Sequence, residues 1–205
     1  MSEPAKNSQN VIRCAWVGPD PLYEQYHDTE WGLPVRDDRL LFEAFTLGGA
    51  QAGQSWLTVL RKRENYRKAF DLFDPVRVAN YVEEDVQRLL GNPGIVRNRL
   101  KVRSAITNAL AFCQIREEFG GFAGYLWSFV EDRPLQNSWR HISEVPATSP
   151  ESDRLSEELR RRGFKFVGST ICYAVMQAVG LVNDHTIDCP RYKEVAAMAP
   201  GSEVV

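Results

Sequence analysis

Between Arg13 and Gly32 the chain reads RCAWVGPDPLYEQYHDTEWG, which concentrates a cysteine, a histidine, two tryptophans and two tyrosines. Near the far end, Asn183-Asp184-His185-Thr186-Ile187-Asp188-Cys189 supplies a second histidine and cysteine. A C-x12-H and an H-x3-C together offer a Cys2His2 set of Cys14, His27, His185 and Cys189. Thiolate and imidazole are tetrahedral zinc ligands, and four protein ligands make a closed structural site, whereas catalytic zinc keeps a position for water. A site of this kind would staple the two ends of the chain together. The same residues can equally be buried thiols and hydrogen-bonded core histidines. Spacing leaves both readings open, because neither pair is a C-x2-C. The aromatics divide likewise between a pocket and ordinary core.

A chain of 205 residues with 43% hydrophobic and 25% charged residues is that of a soluble globular protein, long enough for a sizeable core. No run approaches membrane-spanning length, and the opening MSEPAKNSQN has no apolar signal region. A reducing cytoplasm is therefore expected, where four cysteines favour metal over disulfides. The net charge of -2 hides basic runs at Arg61-Lys62-Arg63, Arg67-Lys68, 97–103 and Arg160-Arg161-Arg162. These are either solvated helix faces or parts of a phosphate-binding surface.

The elements that must position these residues read as helices. Residues 1–10 are expected to be a disordered tail, residues 11–190 a two-lobed helical domain, and residues 191–205 a C-terminal tail. Asp37 to Phe45 opens a helix with acids in its first turn, and Gly48-Gly49 and Gly53 predict a break after it. Ser55 is placed to cap a helix carrying Trp56, and Asp74-Pro75 starts another. An acidic helix over 83–90, the turn Gly91-Asn92-Pro93-Gly94-Ile95 and a long helix to Phe119 have the arrangement of a helix-hairpin-helix element over 83–119. Such a turn, with Arg97, Arg99 and Lys101, would hold a DNA phosphate without reading sequence, or else it is an ordinary αα corner. Phe122 to Val130 reads as a buried helix, and 131–149, with Pro134 and Pro146, as a long connection. Ser149-Pro150 opens a further helix that stops at Gly163, and Gly168-Ser169 opens one that Gly180 closes. No stretch alternates at period two over several strands, so the fold is expected to be all-α.

Taken in order, RCAWVGPDPLYEQYHDTEWG, QAGQSWLTVLRKRENYRKAFDLFDPVRVA, the turn at Gly94 and GFKFVGSTICYAVMQAVGLVNDH resemble the DNA-3-methyladenine glycosylase I family over roughly Arg13 to Cys189. The resemblance implies a helix-hairpin-helix DNA glycosylase fold and a structural Zn2+ held by Cys14, His27, His185 and Cys189. It implies a base pocket of Trp16, Tyr23, Tyr26 and Trp56, and DNA contacts from Gly53, Gln54, Gly94, Arg97 and Lys101. The implied activity is base-excision repair: flipping and hydrolytic, monofunctional removal of N3-methyladenine from double-stranded alkylated DNA. The chain is expected to act as a cytoplasmic monomer with no membrane partner. Because N3 methylation leaves the attached base cationic, electron-rich rings favour it and little general-acid help is needed.

One position departs from the family pattern. Gly48 stands where the family carries a glutamate that hydrogen-bonds the extruded base, and Gln54 stands where it commonly has leucine. The catalytic residue is thus unassigned from sequence. Glu43 lies more than one helical turn from position 48 and Asp28 lies in a different motif, so neither replaces it directly. The departure admits an alternative: a paralog with altered substrate, or a weakly catalytic protein that binds alkylated or abasic DNA.

Overall fold

The computed structural model describes residues 12–198. Helix α1, Pro21–Thr29, starts where Asp20 accepts from the Leu22 and Tyr23 amides at 3.0 and 3.4 Å and Pro21 takes the first helical position. Helix α2, Asp38–Gln51, is capped by Asp37 and does not break at the paired glycines. A β-carbon on Gly48 would lie 2.9 Å from Val175 Cγ2, and one on Gly49 3.4 Å from Phe166 Cβ. The glycines record close packing rather than a helix end.

Ser55 accepts from the Thr58 amide at 3.2 Å and starts α3, Trp56–Leu60. Helix α4, Arg63–Ala69, leads through a single 3-10 turn to α5, Pro75–Ala79, which Asp74 caps as its Asp-Pro pair predicts. Helix α6, Glu83–Leu90, and the long α7, Arg99–Phe119, are joined by the glycine-containing turn, with the Asn98 side chain capping α7. Helix α8, Phe122–Trp127, continues as a 3-10 turn to Val130. Ser149 caps α9, Pro150–Arg161, and Gly168 precedes α10, Ser169–Ala178.

The connection over 131–149 contributes β1, Leu135–Gln136, which pairs in parallel with β2, Val182–Asn183, in the register Leu135 with Val182 and Gln136 with Asn183. A two-residue strand is too short to leave a period-two signal in sequence. The other regular elements among the described residues are helices. The stretch read as a C-terminal tail begins as α11, Pro190–Ala196, with Val195 buried. The expected N-terminal tail, 1–10, and residues 199–205 lie outside the described residues.

The main core gathers α2, α5, α7, α8, α9 and α10 around buried Phe42, Phe45, Phe112, Phe122 and Trp127. The Phe112 and Phe122 rings stack with centroids 4.0 Å apart. A second cluster of Cys14, Val17, Tyr26, Trp31, Leu60 and Cys189 sits beside it, and Trp56 packs against both. No helix of the described residues is long and apolar enough to cross a membrane.

Candidate active site and metal centre

Where the two clusters meet, a cavity of about 420 Å³ opens, with Trp16, Tyr23, Tyr26, Trp31 and Trp56 on one side and Gly48 of α2 and Val175 of α10 on the other. Helix α1 sets Tyr23 and Tyr26 three residues apart, and therefore on neighbouring parts of one face. Trp16 contacts Tyr23 and Trp31 edge-on, each at 4.9 Å between centroids. Tyr26 leans on Trp56 at 5.5 Å. Burial pushes the Tyr26 hydroxyl well above the usual phenol range, helped by the nearby Glu30 carboxylate, so it stays protonated and neutral. Four aromatics picked out in sequence thus share one wall, and Trp31 is a fifth.

The cavity lining also carries two ion pairs. Arg67 closes on Glu43 with Nε at 3.0 Å and Nη2 at 2.8 Å, and Arg63 donates Nη2 to Glu30 at 2.8 Å. Both carboxylates line the cavity, yet each is held by a guanidinium. Among the described residues no lysine lines the cavity.

Behind the tryptophans lie Cys14, His27, His185 and Cys189, all buried, with one ligand atom from each mutually within 4.8 Å. Cys14 Sγ is 3.5 Å from His185 Nδ1, and Cys189 Sγ is 3.6 Å from His27 Nε2. Bonds of zinc length to a shared tetrahedral centre would separate such atoms by roughly 3.3–3.8 Å. The outward nitrogens are also engaged: His27 Nδ1 pairs with Asp28 at 2.8 Å and His185 Nε2 with the Trp31 carbonyl at 3.2 Å. Partners of this kind orient imidazole ligands. The Cys189 thiol is held far down by hydrogen bonds from Cys14 and the histidines, while Cys14, sharing the remaining proton, is pushed up. The four residues fit a metal ion. Gly32 must lack a side chain here, since a β-carbon would fall 2.9 Å from His185 Nε2.

A family model for methyladenine glycosylase matches residues 16–192. The chain belongs to the methyladenine glycosylase family. It is 52% identical over 180 residues to the DNA-3-methyladenine glycosylase 1 of Escherichia coli K12, spanning 88% of this chain and 96% of that protein. It is 44% identical to the DNA-3-methyladenine glycosylase of Haemophilus influenzae, over 88% and 97% of the two chains. A Staphylococcus aureus 3-methyladenine DNA glycosylase I, solved to show how it recognises 3-methyladenine, superposes with a TM-score of 0.85 at 36% identity, over 87% of this chain and 95% of that one.

The remaining sequence-derived positions of this methyladenine glycosylase fall outside the cavity. Gly53 and Gln54 form the exposed turn between α2 and α3. Gly94 sits against Asn65 of α4, and its amide donates to Asn92 Oδ1 at 2.8 Å. Of the cations at that turn, Arg97 is exposed, Arg99 pairs with Glu83 at 2.9 Å, and Lys101 turns inward. The Lys101 ammonium donates to the Ala50 carbonyl at 2.8 Å and to that of Ala52 at 2.5 Å, closing the C-terminus of α2. Its position next to the basic run gave no sign of this.

Among the cavity residues to which the sequence assigned no role in the pocket are Trp31, Gln177 and Asp184. Trp31 is one of the two tryptophans counted in the first motif, but the resemblance gave it no place in the pocket. Gln177 and Asp184 lie in the last matching stretch, and only the approach of α10 and β2 to α1 makes them part of the site.

Proposed function

We propose that this methyladenine glycosylase flips N3-methyladenine out of double-stranded DNA and hydrolyses its glycosidic bond, releasing free base and leaving an abasic site. The observation that carries this reading is the cavity walled by Trp16, Tyr23, Tyr26, Trp31 and Trp56, of a size for one base. An N3-methylated adenine in the chain is a cation, and ring faces attract it more than neutral adenine. The wall's own guanidiniums do not oppose it, because Glu43 and Glu30 neutralise them.

Departure of the base from the sugar leaves it neutral, so the bond breaks without prior protonation, and what remains is to stabilise the developing sugar cation and exclude bulk water. A lysine nucleophile is not expected, since among the described residues none lines the cavity, and the enzyme is accordingly read as monofunctional. Cys14, His27, His185 and Cys189 would hold zinc as a closed site that joins α1 to the segment before α11; it would position Trp31 and activate no water. The α6–turn–α7 unit is read as the helix-hairpin-helix that meets the backbone through Gly94 and Arg97, and the Gly53-Gln54 turn as the part that enters the gap left by the base. The enzyme is taken to be cytoplasmic and to act as a monomer.

The alternative raised by Gly48, a binder that does not turn over, is not favoured: relatives 52% and 44% identical over nearly their full lengths are named as glycosylases. Single-turnover release of base from N-methylated duplex DNA tests the proposal. Free 3-methyladenine together with abasic sites is the expected result. Tight retention of methylated DNA with no released base would overturn it.

A further inference from the structure

Gln177 lies on the α10 wall of the cavity, and the orientation of its amide is decided by its neighbour. Asp184 is buried, and four donors close on its carboxylate, each at 2.7 Å: Asn137 Nδ2 and Trp139 Nε1 on Oδ1, the Tyr173 hydroxyl and Gln177 Nε2 on Oδ2. A carboxylate so surrounded only accepts, so Gln177 must turn its NH2 towards it; the reversed amide would press oxygen on oxygen. That leaves Gln177 Oε1 on the opposite side of the amide. Among the described residues no protein donor bonds to this oxygen, and it is not one of the sealed interior atoms.

The other amide and the carboxylates on the wall differ from it. Glu43 and Glu30 are taken by arginines, Asp184 by its four donors, Gly48 presents no side chain, and Gln51 has no partner among the described residues to fix which way its amide faces. Gln177 is held with its acceptor outward.

We propose that Gln177 Oε1 is a specificity-determining acceptor for the exocyclic amino group of a bound 6-aminopurine, and that Asp184 is the positioning residue that keeps this oxygen facing the base. The proposal rests on the glycosylase reading of the cavity. Adenine carries an N–H donor at C6 where guanine and hypoxanthine carry a carbonyl oxygen. A fixed acceptor in a desolvated site bonds the first and faces the second oxygen to oxygen, and sites built this way discriminate strongly because the mismatched pair is left unsatisfied.

The experiment titrates free 3-methyladenine and free 3-methylhypoxanthine into the protein, followed by the fluorescence of the cavity tryptophans, alongside release of 3-methyladenine from methylated duplex by the parent. The parent is expected to prefer 3-methyladenine by roughly tenfold or more. Gln177→Met keeps the bulk without the acceptor and should bring that ratio close to one. Asp184→Asn offers a donor as well as an acceptor, frees the Gln177 amide to turn, and should lower the ratio with Gln177 still present. A role in stability alone would move the melting temperature and leave the ratio unchanged. An unchanged ratio in Gln177→Met, or equal weakening of both bases, overturns the acceptor; an unchanged ratio in Asp184→Asn overturns the positioning role. If the parent releases base from DNA and these ratios do not move, the inference alone fails; if the parent neither binds 3-methyladenine nor releases it, the glycosylase reading fails with it.

Discussion

Val175 occupies the space that a side chain on Gly48 would need: its Cγ2 lies 2.9 Å from the position of a β-carbon there. Helices α2 and α10 therefore meet so closely at Gly48 that the branched side chain of Val175 leaves no room for another one there. Gly48→Ala gains roughly 1 kcal/mol of helix propensity but overpacks the contact by about 1–3 kcal/mol, so a net loss is expected. In a Val175→Ala background the overpacking is gone, and the same change should stabilise by roughly 1 kcal/mol. Chemical denaturation of the four members of the cycle checks the change of sign. A restored glutamate should accordingly be tested for activity in Gly48→Glu with Val175→Ala, since Gly48→Glu alone confounds chemistry with strain.

Metal removal should unfold the region that joins the two ends of the chain. Cys14 and Cys189 meet His27 and His185 across most of the sequence, with no disulfide between them. One zinc per chain is expected by elemental analysis. Cys14→Ser or His185→Ala should lose it and lower stability by several kcal/mol, because binding energy at such sites is folding energy. Unaltered metal content and melting temperature in either variant would rule out the structural site.

Arg97 and Lys101 should behave differently on DNA despite lying four residues apart. Arg97 is exposed, whereas the Lys101 ammonium is spent on the carbonyls of Ala50 and Ala52. Arg97→Ala should weaken duplex binding and reduce the slope of log affinity against log salt by about one. Lys101→Met should leave that slope nearly unchanged and cost roughly 1–2 kcal/mol of stability through two lost charge-assisted bonds. Binding isotherms at several salt concentrations, with a denaturation curve for each variant, separate the two roles.

Acid should erode the link between α9 and α7 in a defined window. Glu158 accepts from Arg161 at 2.6 Å and from Arg162 at 2.7 Å, and Arg162 also reaches Glu118 on α7. The Arg161 hydrogen bonds, with further help from Arg162, hold the Glu158 carboxyl down at about 2. A depressed carboxylate contributes stability that is present above its unfolded value and lost as pH falls through the folded one. Glu158→Gln should therefore cost about 1 kcal/mol near neutrality, discounted for partial exposure, and that difference should shrink between pH ~4.5 and ~2. Paired stability measurements at pH 7, 4 and 2 would show it; a difference independent of pH would mean the network contributes nothing through charge.

What the sequence determined by itself is what neighbours in the chain decide. Asp74-Pro75, Ser55 and Ser149-Pro150 start helices because a capping oxygen and a proline ring act within three residues. The ordered motifs carried the family, and with it the aromatic wall and the Cys2His2 set, since these residue types are not what core packing alone selects. Only the tertiary structure decided matters settled across long separations. Gly48-Gly49 reads locally as a helix break, yet α2 runs through it because Val175 and Phe166 arrive from elsewhere to fill the missing side-chain volume. Lys101 reads as a phosphate contact, yet its ammonium is drawn to carbonyls at the end of another helix. Gln177 and Asp184 read as nothing in particular, because an amide's orientation is fixed by the charge placed against it, and that charge is placed by the fold.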